Sequence, residues 1–99
     1  MSQVGFRVRI EARPEYAAQV EVALRDALEL ARAEEGTVTW FAFKEGPTVF
    51  GIFDTFDDEE GRAAHFDGKI ADVLKQIGPR MFAAVPEVLR TDLLAVKLP

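Results

Sequence analysis

The sequence predicts an α+β domain in which one antiparallel sheet carries helices on a single face. Three observations predict this class. Apolar and polar residues alternate near the start of the chain, as they do in a strand. Apolar residues then recur every three or four positions over residues 15–35, as in an amphipathic helix. Two runs rich in β-branched and aromatic residues follow and are separated by a Glu-Gly-Pro turn, which is typical of a hairpin.

The first half of the chain contains one strand and one long helix. Residues 4–12 form the strand, because every second side chain is apolar: Val4, Phe6, Val8 and Ile10. Pro14 stands where a first helical residue is favoured, and the helix over residues 15–35 has about five to six turns. Gly36 is predicted to end this helix in the left-handed conformation.

The middle of the chain contains the hairpin and the start of a second helical region. Residues 37–45 and 48–56 are the two strands of the hairpin. Asp57 is predicted to cap the next helix, with Glu60 three residues further on. Gly68 is expected to break or kink that helix.

The end of the chain completes the pattern. The helical stripe continues to Gly78-Pro79, a short helical turn is predicted over residues 80–85, and residues 88–98 form the last strand. The order β-α-β-β-α-β with right-handed crossovers is the ferredoxin-like arrangement, an antiparallel sheet with helices on one face. No linker or repeat interrupts it, so we expect a single domain over residues 1–99.

Composition excludes several classes of protein. No apolar run approaches the roughly 20 residues that a membrane span needs, no secretory leader is recognisable and there is no cysteine. We therefore expect a cytoplasmic protein without a membrane partner. The net charge is −5 and the basic residues are dispersed, which does not predict a nucleic-acid partner. With His65 as the only histidine we expect no metal site, and with Ser2 as the only serine we expect no serine nucleophile.

The strands carry large apolar side chains on both faces. In the third strand, Val49 and Phe53 point to one side, whereas Phe50, Ile52 and Phe56 point to the other. Helices cover only one face, and leaving the other in water would forgo about 1.5–3 kcal/mol for each large side chain. The simplest cover is a second copy packed sheet against sheet by two-fold symmetry. We expect such a homodimer; the alternative is that bends or loops shield the second face.

A run of features between residues 34 and 68 carries a family resemblance. Glu35-Gly36 closes the first helix, the aromatic hairpin follows, and a strand ends in Phe53-Asp54-Thr55-Phe56. An acidic helix start and the step Arg62-x-x-His65-Phe66 come next. In these features the chain resembles the antibiotic biosynthesis monooxygenase (ABM) family of the dimeric α/β-barrel superfamily, and the general pattern extends over nearly the whole chain.

The resemblance implies a homodimer of ferredoxin-like subunits, a dimeric α/β barrel, with a pocket between sheet and helices in each subunit. It implies oxygenation of a phenol, a quinol or a polyketide-like aromatic substrate without metal, flavin or other cofactor. Another branch of the superfamily binds haem through an Asn, a Trp and a His. This chain has no Asn, and Trp40 lies on the second strand instead of near the second helix, so the haem role is not transferred.

Two polar residues are candidates for catalysis. Oxygenation of this kind requires a base that removes a proton, a group that stabilises the resulting oxyanion, and exclusion of water. His65, with an ordinary pKa of about 6.5, suits the base, and Arg62 lies three residues earlier on the same helix face and suits the oxyanion. The alternatives are a partly exposed histidine without chemistry and an arginine paired with Asp58 or Glu59.

Aromatic residues are candidates for the lining of the substrate pocket. Trp40 offers a flat ring for stacking on an aromatic ligand. The predicted apolar lining consists of five phenylalanines: Phe41, Phe43, Phe53, Phe66 and Phe82. For each of these residues, packing in the core or at an interface is the alternative. Asp54 lies among apolar neighbours and needs a partner, which makes it either a second base or the partner of an arginine across the interface.

Three functions remain open from the sequence. The first is a cofactor-independent monooxygenase that acts on an aromatic phenol, quinol or polyketide-like small molecule. The second is a non-catalytic small-molecule-binding protein, such as a sensor, a carrier or a cyclase-like protein, that uses the same pocket. The third is a structural dimer whose aromatic residues only build the core and the interface.

Overall fold

The computed structural model describes residues 3–99, and Ser2 therefore lies outside the described residues. The elements follow the predicted order: β1 (Val4–Glu11), a short 3-10 helix (Pro14–Tyr16), α1 (Ala17–Arg32), β2 (Thr37–Lys44), β3 (Val49–Phe56), α2 (Glu59–Phe66), α3 (Lys69–Met81) and β4 (Glu87–Asp92). Within residues 3–99, no helix has the length and apolar character needed to cross a membrane.

The four strands form one antiparallel sheet in the order β2-β3-β1-β4. Phe6 on β1 stands opposite Asp54 on β3 and opposite Arg90 on β4. Trp40 on β2 stands opposite Asp54 from the other side. Directly opposed residues of antiparallel strands share a face, so Phe6, Asp54 and Trp40 all lie on the face that the helices cover. The predicted α+β fold of ferredoxin-like type is confirmed.

The core lies between this covered face and the helices. Helix α1 presents a buried stripe at three- and four-residue steps: Val20, Leu24, Ala27 and Ala31. Val20 and Leu24 meet buried side chains of β1 and β3, among them Ile10, Phe50 and Ile52, whereas Ala27 and Ala31 pack with Ile70 of α3. Burying side chains of this kind contributes about 1.5–3 kcal/mol each, which is why the amphipathic helix packs here.

Two boundaries of the second helical region differ from the sequence prediction. The cap of α2 is Asp58 and not Asp57, because the Asp58 carboxylate accepts a hydrogen bond from the Gly61 N–H at 2.9 Å. Helix α3 continues through Pro79 to Met81 instead of ending at Gly78-Pro79. Pro79 stands in the last turn, where its missing N–H removes one hydrogen bond just before the helix stops.

Two further expectations are corrected by the sheet and by α2. β4 ends at Asp92 and not at Leu98, because Asp92 stands opposite Val4, where the partner strand β1 begins. Gly36 is not left-handed, since no glycine among residues 3–99 has a positive φ. A Cβ on Gly36 would lie 3.0 Å from the Cα of Gly61, so the absence of a side chain there favours the close approach of α2.

The opposite face of the sheet carries apolar side chains that no segment of residues 3–99 covers. Phe41 is 56% exposed and stands opposite the half-buried Phe53, and Leu89 is also exposed. Beyond β4, residues 93–99 form no strand, and the side chain of Leu94 is 98% exposed. We call the face that carries Phe41, Phe53 and Leu89 the open face.

Candidate functional site

A cavity of about 500 Å³ lies between the covered face of the sheet and helices α2 and α3. Its walls are mainly apolar and come from the sheet, from α3 and from the segment after α3; examples are Phe6, Ile52, Ile70, Leu74 and Val88. Among residues 3–99, three charged or titratable side chains line it: Asp54, His65 and Lys75. The volume lies in the range of about 300–1,000 Å³ that is usual for small-molecule sites.

Helix α2 brings His65 to this cavity. Asp58 caps the start of this helix. His65 lies in its last turn, on the side that faces the sheet. The imidazole packs against two aromatic rings of the core, with 5.2 Å between its centroid and that of Phe56 and 6.4 Å to that of Phe6. The side chain is 10% exposed, so most of the imidazole is covered by the protein.

His65 lies between two carboxylates. Its Nδ1 is 2.5 Å from Oε1 of Glu34, and its Nε2 is 2.9 Å from Oδ2 of Asp54. Glu34 is itself oriented by Thr37, whose hydroxyl donates a hydrogen bond to Oε1 at 2.7 Å. Both nitrogens of the ring therefore face acceptors.

The pKa of His65 is raised above its ordinary value of 6.5. Burial is the largest single influence and lowers this pKa, but the close contact of Nε2 with Asp54 and then the hydrogen bond to Glu34 raise it, and the charges of both carboxylates add to that effect. The net result is an imidazole that holds its second proton more firmly than a free histidine does.

Asp54 is a buried carboxylate at the cavity wall, with 1% of its surface exposed. Although Nε2 of His65 lies close to Oδ2, the approach is not aligned as a hydrogen bond, and neither oxygen of Asp54 has a hydrogen-bond partner in the part of the chain that the structure describes. Within the chain its charged neighbour is this histidine and not an arginine. Asp54 thus brings unused acceptor capacity to an apolar cavity.

Arg62 is buried but does not line the cavity. Its Nη1 donates to the carbonyl oxygens of Gly5 and Thr91, at 3.2 Å in each case, and its Nε and Nη2 bind Glu59. The guanidinium also stands 5.6 Å from the centroid of the Phe6 ring. These contacts fasten α2 to β1 and β4, and the oxyanion role of Arg62 stays a prediction.

The aromatic residues singled out from the sequence are divided between two places. Two line the cavity beside His65: Phe66 and Phe82. Three line a second groove, of about 710 Å³, between β2 and α1: Trp40, Phe41 and Phe43. Phe53 lies on the open face and lines neither. His65 and Trp40 therefore do not face the same cavity, and Trp40 packs against the core with its Nε1 buried and unpartnered.

Two residues of the site carry no signal in the sequence. Glu34 is 31 residues away from His65, and nothing in its local pattern distinguishes it from the neighbouring Glu35. Phe6 reads as an ordinary core position of a strand, yet its ring lies 5.7 Å from that of Phe66 and forms part of the cavity wall. Strand alternation indicates that Phe6 is buried, but only the packing of α2 shows what it faces.

The cluster of acids around His65 is not arranged as a metal site. Within residues 3–99, no group of three or more His, Cys, Asp or Glu is placed to hold a metal ion. Glu34 and Asp54 approach opposite nitrogens of the ring, so their oxygens do not converge on one point. The arrangement instead suits the binding and transfer of a proton.

Comparison with known proteins gives the fold and one clear relative. No protein-family model matches the sequence. No curated protein matches it either. A solved structure of a protein of unknown function from Nitrosomonas europaea is 44% identical, covers 100% of this chain and 96% of that chain, and has a TM-score of 0.97.

Two further solved structures share the fold at low identity. A protein from Mycobacterium tuberculosis is 14% identical with a TM-score of 0.85 and covers 96% of this chain and 98% of that chain. An antibiotic biosynthesis monooxygenase is 16% identical with a TM-score of 0.81 and covers 93% of this chain and 99% of that chain. These two structures share the fold of this chain. They confirm, for the fold, the resemblance predicted from residues 34–68.

Proposed function

We propose that this chain, which belongs to the same family as the Nitrosomonas europaea protein of unknown function and has the fold of the antibiotic biosynthesis monooxygenases, oxygenates an aromatic phenol or quinol. The observation that carries the proposal is the apolar cavity of about 500 Å³ with a buried polar end formed by Asp54 and His65. Apolar walls of this extent favour a ring system, and the polar end orients its hydroxyl group. Lys75 is exposed.

The chemistry needs no redox group from the protein when the substrate is electron-rich. A quinol loses a hydroxyl proton, and the resulting anion passes one electron to dioxygen. The superoxide and the ring radical combine at a ring carbon, and the peroxide loses the proton of that carbon as its O–O bond breaks. A quinol and dioxygen thus give a hydroxyquinone and water, with one oxygen atom in each product. The protein accepts and returns protons and excludes water.

In this proposal the proton-accepting group is His65 together with its two carboxylates, and the aromatic walls exclude water. Phe66 and Phe82 line the same cavity, and Phe66 packs against Phe6. Arg62 contributes by holding α2, and therefore His65, in place against the sheet.

A test follows the oxygen atoms. The purified protein is incubated with 1,4-naphthohydroquinone under labelled dioxygen, and the product is analysed by mass spectrometry. We expect 2-hydroxy-1,4-naphthoquinone with one labelled oxygen atom. Uncatalysed autoxidation gives 1,4-naphthoquinone and hydrogen peroxide without label in the ring, so the background is distinguishable. Absence of the labelled hydroxyquinone above that background contradicts the proposed reaction.

A pair of matched variants tests the location of the reaction. Ala71→Phe fills the cavity from α3, whereas Ala42→Phe adds the same side chain in the second groove on β2. We expect Ala71→Phe to abolish formation of the labelled hydroxyquinone and Ala42→Phe to leave it unchanged. The opposite pattern would move the site to the groove that contains Trp40.

A non-catalytic binding protein is the second candidate, and one observation favours it. Both nitrogens of His65 already face carboxylates, which suits a histidine that keeps its proton instead of exchanging it. In that case naphthol and related ligands raise the melting temperature of the protein, Ala71→Phe removes the rise, and no labelled product forms.

We also propose that the working form is a homodimer built on the open face. The exposed Phe41 and Leu89 would be covered by a second copy, and the exposed Leu94 beyond β4 offers further apolar contact. Light scattering at micromolar concentration should give the mass of two chains. Phe41→Glu should give the mass of one chain, whereas Val22→Glu, on α1 and equally exposed at 56%, should remain dimeric. A single-chain mass for the unmodified protein contradicts this.

A further inference from the structure

We infer that Oδ1 of Asp54 is the atom that binds the hydroxyl group of the substrate and takes its proton, so that the site selects neutral hydroxylated aromatics over their ethers and over carboxylates. This inference rests on the proposed function and names the substrate class of the same cavity. It makes Asp54 the catalytic residue and His65 its positioning residue.

The first argument is the unused acceptor. Asp54 is almost completely buried, it lines the cavity, and neither of its oxygens receives a hydrogen bond. A buried charged acceptor without a donor is unfavourable, and folded proteins rarely leave one unsatisfied. Apart from His65 and Lys75, the side chains that line the cavity have no N–H or O–H to offer. A hydroxyl group on the bound ring supplies the missing donor.

The second argument is that His65 is not free to accept the proton directly. Acceptance requires a ring nitrogen with an available lone pair, but Nδ1 faces Glu34 and Nε2 faces Asp54. The same two carboxylates favour the protonated ring, whose pKa is raised. His65 therefore acts through Asp54, because its positive charge stabilises the carboxylate in an apolar wall.

The third argument is the charge at the polar end. Glu34 from the segment after α1 and Asp54 from β3 bring two negative charges against one imidazolium from α2, while the guanidinium of Arg62 is directed to backbone carbonyls and Glu59. Even when the imidazole carries its second proton, the two carboxylates leave one negative charge at this end. A carboxylate on the ligand is repelled there, whereas a neutral hydroxyl group is attracted.

The proton-transfer step is balanced within these groups. The O–H bond of the substrate breaks, the proton bonds to Oδ1 of Asp54, and the electron pair stays on the substrate oxygen. The carboxyl group returns this proton to the peroxide oxygen after dioxygen has added to the ring. It then accepts the ring C–H proton and delivers it to the hydroxide released when the O–O bond breaks, which forms water and restores the carboxylate.

The experiment compares 1-naphthol with 1-methoxynaphthalene, which differ in the hydroxyl hydrogen. For the unmodified protein we expect naphthol to bind at least about tenfold more tightly, as loss of a hydrogen bond to a charged acceptor predicts. Asp54→Leu should bind both compounds equally. Asp72→Asn changes an exposed acid of α3 that does not line the cavity and should keep the preference. Binding of the ether reports that each variant is folded, since it needs the cavity and not the acceptor.

Turnover provides a second readout for Asp54. Asp54→Asn keeps the size of the side chain and a neutral acceptor but cannot take the proton, so formation of labelled hydroxyquinone should fall by at least about 100-fold. Three results overturn the inference. The first is equal binding of naphthol and its ether to the unmodified protein, and the second is a preference for naphthol that survives in Asp54→Leu. The third is full turnover in Asp54→Asn. If the preference is found without labelled product, the reaction fails but the hydroxyl contact stands; if neither compound binds, both proposals fail.

Discussion

Replacing Arg62 by methionine should destabilise the protein because it removes the contacts that fasten α2 to the sheet. The buried guanidinium donates to the carbonyl oxygens of Gly5 and Thr91, at 3.2 Å each. Hydrogen bonds from charged donors contribute about 1.5–3 kcal/mol each. Methionine keeps the apolar packing of the arginine stem and removes the cost of burying the guanidinium charge. The loss per hydrogen bond should therefore lie at the lower end of that range. We therefore expect a loss of about 3 kcal/mol in the free energy of unfolding.

Urea unfolding followed by tryptophan fluorescence measures this loss, because Trp40 is the only tryptophan and packs in the core. With a urea dependence of about 1–3 kcal/mol per molar, the midpoint should fall by about 1–3 M. The protein concentration is kept constant, so that any association contributes equally to all variants.

Arg90→Met is the matched control. Arg90 binds the same partner, Glu59, with 3.0 Å between Nη1 and Oε1, but its side chain is 66% exposed. Exposed ion pairs contribute little, so the midpoint should be nearly unchanged. If Arg62→Met is as stable as Arg90→Met while oxygenation is lost, the anchoring role is wrong and the oxyanion role predicted from the sequence is supported.

Two further predictions concern His65 and the open face. Because the pKa of His65 is raised, its stabilising contribution should be complete below pH 6.5 and disappear as the pH rises through the folded-state pKa. The difference in free energy of unfolding between the unmodified protein and His65→Gln should therefore narrow in that range. The single histidine signal in the proton NMR spectrum should titrate above pH 6.5. An unshifted titration contradicts the contacts with Asp54 and Glu34. A Cβ on Gly51 would overlap the ring of Phe43, which is 40% exposed and can move aside, so Gly51→Ala should cost about 1 kcal/mol, the lower end of the range for overpacking. Urea unfolding should show a smaller cost in a Phe43→Ala background, and equal costs in both backgrounds would show that the ring does not cover this glycine.

Much of the fold is predictable because it depends on local periodicity. Alternation in residues 4–12 identifies β1, and the three- and four-residue steps after Pro14 identify α1. The errors lie where one element depends on another. β4 stops at Asp92, which stands opposite the first residue of β1, and no local pattern in residues 88–98 contains that information.

The candidate site was predictable only in part. His65 stands out because it is the only histidine, and its position on a helix beside aromatic residues follows from the sequence. Its partners do not follow, because Glu34 comes from the segment after α1 and Asp54 from β3, and they meet only when α2 packs over the sheet. The separation of Trp40, Phe41 and Phe43 from the cavity likewise depends on β2 being the edge strand next to β3.

The sequence by itself determined the order of strands and helices, the apolar side chains on both faces of the sheet and the exclusion of thiol chemistry, because these depend on residue type and spacing along the chain. Only the tertiary structure decided that His65 lies between two carboxylates and that Asp54 brings an unpaired acceptor to an apolar cavity. The physical reason is that hydrogen bonds and charge pairs depend on distances of a few ångströms between residues that lie far apart in the chain.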